Sequence, residues 1–109
     1  MIATARRFPT LLPLAALFAC IATPALAADG EELYAQNACA SCHGPTGNEP
    51  ILPTYPKIAG QNKTYLVNQM NDIKSGDRDN GASIAMRGVV ANLSDDEILA
   101  IAEYLSSLK

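Results

Sequence analysis

The sequence contains no tryptophan, and its two phenylalanines, Phe8 and Phe18, both lie within the first 27 residues. Beyond that point the only aromatic side chains are Tyr34, Tyr55, Tyr65 and Tyr104. Histidine occurs once, as His43, and cysteine three times. There is no alternating apolar–polar run of strand length, no internal repeat, no phosphate-binding loop and no acid/base pair or nucleophile triad. Sheet-built cores, phosphate-loop binding and triad hydrolysis therefore have no carrier here, and no catalytic residue is assigned. No apolar run reaches the roughly 20 residues that a membrane-spanning helix needs.

What stands at the N-terminus instead is the pattern of a secretory signal peptide, residues 1–27. Arg6 and Arg7 form the basic start, Leu11 to Ile21 the apolar stretch broken by Pro13, and Ala25-Leu26-Ala27 the small-x-small cleavage site. Cleavage there leaves 28–109 as one exported domain. A lipid anchor on Cys20 is the alternative, carried by Leu17-Phe18-Ala19-Cys20, with Phe a poor fit to a lipoprotein box.

The remaining 82 residues hold eleven acidic and six basic side chains, a formal charge of −5. That balance argues against nucleic acid or an anionic membrane as partner. Residues 28–56 carry no base, whereas 57–87 hold Lys57, Lys63, Lys74, Arg78 and Arg87. A chain this short buries only about 60–65% of its unfolded surface. It is too small for a β/α barrel or a two-half dinucleotide fold, and it needs a staple.

Three helices are predicted. The first spans about 29–40, with Asp29 as its cap. The second spans 62–75, with Gly76 as its stop. The last follows Ser94, where Glu97 completes a capping box and Leu93 and Ile98 have staple spacing. In the last helix Ile98, Ile101, Ala102, Leu105 and Leu108 form the buried stripe. Residues 44–62 hold four prolines and three glycines and are predicted as a wrapping loop; 77–92 are predicted irregular. Gly30 and Tyr34 are expected to meet Ile101 and Tyr104 where the first and last helices cross.

The chemistry lies in Cys39-Ala40-Ser41-Cys42-His43, a C-x-x-C-H attachment sequence for c-type haem. Two cysteines three apart reach two positions on one porphyrin edge, and the adjacent imidazole faces the iron. A redox disulfide would want a βαβ context that is missing. A zinc site would need a fourth ligand from Asp or Glu, since no other Cys or His remains after residue 27.

With Leu33-Tyr34-Ala35-Gln36, Cys39–Gly44, Pro56-Lys57-Ile58-Ala59-Gly60-Gln61, Tyr65-Leu66, Gly76-Asp77-Arg78, Leu93-Ser94-Asp95 and Tyr104-Leu105, residues 28–109 resemble the small bacterial monohaem class I cytochromes c. The resemblance implies an all-α fold, three main helices and long loops wrapped around one haem c bonded through Cys39 and Cys42. It implies His43 and a methionine as axial ligands: Met86, in the segment before the last helix, over Met70, which sits at a packing position. It implies a proline carbonyl holding His43, with Pro56 matching and Pro53 the competitor, and propionate contacts from Arg78 and Tyr65. The function implied is a monomeric periplasmic one-electron carrier between redox partner proteins. A dedicated haem subunit of an oxidoreductase complex is the alternative; a ligand-binding haem protein would need an open sixth site. Lys57, Lys63, Arg78 and Arg87 are expected around the haem edge, where they would steer an acidic partner.

Overall fold

The computed structural model describes residues 29–109 together with 9–13, 15, 19 and 20. Most of the expected leader, and all of its cleavage site, lies outside the described residues. Five helices follow in order: α1 (Gly30–Gln36), α2 (Ala40–His43), α3 (Lys63–Ser75), α4 (Ser83–Val90) and α5 (Asp95–Ser107). Among the described residues there is no strand. No helix among them is long and apolar enough to cross a membrane.

Local chemistry sets most of these bounds. The Asp29 carboxylate accepts the Glu31 and Glu32 amides at 2.9 and 3.3 Å and starts α1. Asn62 does the same for α3, accepting the Tyr65 amide at 3.0 Å, and Gly76, at φ +90°, ends it. The capping box of α5 is complete, with Ser94 Oγ accepting the Glu97 amide at 3.2 Å and Glu97 Oε2 accepting the Ser94 amide at 2.8 Å.

Two expectations need correction. The first helix does not reach residue 40. Asn37 folds back and donates to the Leu33 carbonyl at 2.8 Å, and Ala38 takes φ +62°. A left-handed non-glycine residue costs about 1–2 kcal/mol and cannot continue a right-handed helix. The chain breaks there and restarts as α2. The segment 77–92 is also not wholly irregular, because it contains α4. This helix has no side-chain cap at Ala82 and a glycine inside it, so the usual sequence signals are missing.

The core forms where α5 is overlain by α1 and α3. Leu66, Met70 and Ile73 of α3 meet Ile98, Ile101, Ala102 and Leu105 of α5, with Val90 and Leu93 closing the side. At the α1–α5 crossing Gly30 lies against Ala100 and Tyr104; a Cβ there would sit 2.7 Å from Tyr104 Cβ and closer still to the Ala100 carbonyl. The Tyr34 and Tyr104 rings pack 5.8 Å apart, tilted by 55°.

Tyr34 is 1% exposed, and its hydroxyl donates to the Gly44 carbonyl at 2.6 Å. Burial is the main cause that pushes its phenol up from 10.0 to about 12. The folded state thus keeps a proton that the unfolded chain loses first. This contribution to stability is complete below pH 10.0 and is lost as pH rises toward about 12. Tyr34→Phe should cost about 1–1.5 kcal/mol near neutral pH and abolish this alkaline loss, read as urea midpoints across pH.

Candidate haem site

Between α2, α3, α4, α5 and the 44–62 loop lies a mainly apolar cavity of about 370 Å³. That is within the range of about 300–1,000 Å³ usual for cofactor sites. Cys39, Cys42, His43, Pro56, Tyr65, Arg78 and Met86 all line it, and so does Met70. The sequence-predicted residues, scattered over 48 positions, are brought to one cleft.

One helical turn places the first three. The His43 amide donates to the Cys39 carbonyl at 3.0 Å, so the two thiols and the imidazole project from one short turn. Burial pushes the Cys39 thiol up. The buried imidazole has its Nδ1 2.9 Å from the Pro56 carbonyl oxygen. A carbonyl only accepts, so Nδ1 carries a proton, and in the neutral ring that tautomer leaves the lone pair on Nε2. The contact is to Pro56 and not to Pro53.

The loop that delivers Pro56 is pinned along its length. Ile51 N–H donates to the Cys42 carbonyl at 3.1 Å, the Gly47 carbonyl accepts from Ile58 at 2.8 Å, and Gly60 N–H donates to Leu105 at 2.8 Å. Gly44, at φ +86°, turns the chain out of α2 where a Cβ would strike the Glu49 carbonyl.

The two methionines that line the cavity differ. Met70 is 6% exposed and belongs to the core, while Met86 is only partly buried, on α4. Arg78 donates to Gln69 Oε1 at 2.8 Å and to Asn80 Oδ1 at 3.4 Å, which holds its guanidinium at the cavity wall. Tyr65 is half exposed.

The expected basic ring is incomplete. Lys57 and Arg78 line the cavity, but Lys63 faces Glu103 of α5 at 3.5 Å, and Arg87 donates to the Ile73 carbonyl at 3.2 Å. Sequence reasoning missed the roles of Gln69, Arg87 and Lys74, whose ammonium reaches the Leu93 carbonyl. All three bonds join residues nine or more positions apart, and no local pattern announces them.

The donor set fits a covalent haem: two thiols at attachment spacing, an imidazole of fixed tautomer, a thioether, apolar walls for the ring and a guanidinium for its carboxylates. Among the described residues, no cluster of three or more His, Cys, Asp or Glu is arranged to hold a metal ion.

Fold and site together define a class I c-type cytochrome. Residues 27–109 match the family described as Cytochrome c, and the chain belongs to that family. With its C-x-x-C-H motif, this chain carries one haem c, bonded through Cys39 and Cys42. Cytochrome c4 of Pseudomonas aeruginosa is 46% identical over 71 residues, which are 65% of this chain and 33% of that protein. Cytochrome c-554(548) of Halomonas halodenitrificans is 37% identical over 81 residues, 74% of this chain and 94% of that one. The crystal structure of reduced recombinant cytochrome c4 from Pseudomonas stutzeri superposes with a TM-score of 0.66 at 39% identity, over 80% of this chain and 50% of that chain. The chain thus spans a third to a half of the cytochromes c4 it matches.

Proposed function

We propose that the protein is a periplasmic one-electron carrier working between redox partner proteins, with His43 and Met86 as the axial ligands of its haem. The observation that carries this reading is the shared cavity. An imidazole with its Nδ1 proton held by Pro56 and a thioether line the same apolar cleft as the two attachment thiols. When bound, the haem supplies a one-electron couple, and imidazole–thioether ligation raises its potential and closes it to small ligands.

The chain's own residues do the rest. Pro56 fixes the orientation and tautomer of His43. Arg78, steadied by Gln69 and Asn80, and Tyr65 offer donors to the haem carboxylates. Lys57 and Arg78 leave positive charge on the cavity lining of an otherwise acidic chain, suited to steering an acidic partner. In this reading the leader is cleaved after Ala27 and the product, 28–109, acts as a monomer.

Potentiometric titration of the purified protein tests it. The expected result is a single one-electron wave that moves to clearly lower potential in Met86→Ala and stays near the wild-type value in Met70→Ala. The Met70 variant should instead lose about 2–5 kcal/mol of stability as a core truncation. The opposite assignment of the two effects would make Met70 the ligand.

A further inference from the structure

Among the described side-chain hydrogen bonds, α4 makes only one, through Arg87, the residue next to Met86. The helix is eight residues long, has no side-chain cap at Ala82 or Ala91, and exposes Ile84, Ala85 and Gly88. A helix so short is not stable by itself and depends on tertiary anchors. Arg87 is a strong one. Its Nε donates to the Ile73 carbonyl at 3.2 Å, in the last turn of α3, where the helix dipole favours a cation. Its guanidinium lies over Gly76, close enough that a Cβ there would be 3.2 Å from it. Lys74, from the same turn of α3, reaches the Leu93 carbonyl beyond the far end of α4. Two cation–carbonyl ties therefore fasten the segment that carries Met86 to the end of α3.

We propose that Arg87 is a positioning residue for the sixth haem ligand: its tie to the end of α3 holds α4 so that Met86 keeps the iron closed to outside ligands. This rests on the reading of Met86 as that ligand. Breaking the tie favours conformations in which α4 moves away and an added base can bind in place of the thioether.

The test is a titration of the oxidised holoprotein with imidazole, followed in the visible spectrum, beside hydrogen exchange of the α4 amides. Arg87→Leu keeps an apolar side chain and removes the donors. It should bind imidazole about tenfold more tightly than wild type, as expected for loss of one charge-assisted hydrogen bond, and its α4 amides should exchange faster. Arg87→Lys restores a cation and should return binding to within about threefold of wild type. Asp29→Ala, which removes the α1 cap and touches neither tie, should leave imidazole affinity unchanged, so that general destabilisation is told apart from ligand release. Met86→Ala should bind imidazole most tightly of all. If Met86→Ala opens the site but Arg87→Leu binds imidazole like wild type, Met86 stands as ligand and the anchor is overturned. If Met86→Ala changes nothing, both fall. Should Arg87→Leu fail to accumulate, Arg87→Met, which keeps a long unbranched side chain and likewise removes the donors, takes its place with the same expected tightening, and wild-type binding there overturns the anchor.

Discussion

Replacing Cys39 and Cys42 together by serine should yield a chain without covalent haem and without a cooperative fold. On a denaturing gel the haem-linked peroxidase stain should vanish. Far-ultraviolet circular dichroism should lose most of its helical signal, and the thermal transition should broaden into a slope. The size of the effect follows from the cavity. The cavity between α2, α3, α4 and α5, about 370 Å³, is bordered by core residues such as Leu66, Met70, Ile73 and Leu105. At about 24 cal/mol per Å³, a sealed void of that volume would cost on the order of 9 kcal/mol, an upper bound here because water can enter the cleft. Entire domains are stable by only about 5–15 kcal/mol. The haem is thus most of what this chain has for a centre. A variant that retained a sharp transition would show that the ten buried apolar side chains among the described residues suffice alone.

The second large effect should come from Gly30→Val. Gly30 brings the α1 backbone against the Ala100 carbonyl, with no room for even a methyl group. A branched side chain there forces α1 and α5 apart. It also disturbs the Tyr34–Tyr104 packing and, through Tyr34, the hydrogen bond to Gly44 at the exit of α2. Overpacking of this kind costs about 3 kcal/mol or more when backbone must move. For a domain of this size that is a fall in Tm of roughly 12–24 °C, measurable by thermal denaturation of the holoprotein. A fall of a few degrees would mean that the crossing is softer than the packed backbone implies.

What could be read in the sequence follows the range of the forces involved. The caps at Asp29 and Ser94 and the stop at Gly76 are local signals, and α1 and α5 start and α3 ends within about a residue of where they place them, whereas nothing local marked the end of α5 before Leu108. The C-x-x-C-H spacing is a property of a single turn, so the haem was legible from five residues. The Gly30–Tyr104 crossing was legible too, because a glycine on a helix face opposite a tyrosine has a direct steric meaning. The break at Ala38 was not, since alanine carries no preference for positive φ and only the surrounding structure forces it there. Nor was α4, whose helix lacks caps and is held by Arg87 reaching back fourteen residues to Ile73. The expected ring of four basic residues failed for the same reason. Charge can be counted along a chain, but Lys63 and Arg87 find partners at Glu103 and Ile73 that only the fold supplies.

The most direct test of the central claim is the visible spectrum of the purified oxidised protein, recorded with and without reductant. The account requires a low-spin ferric haem with the weak long-wavelength band of an iron–sulfur(Met) bond, bleached on reduction and absent in Met86→Ala. A high-spin ferric spectrum lacking that band, and unaltered by the substitution, would contradict it. The sixth site would then be open, and the protein would belong with ligand-binding haem proteins instead of electron carriers.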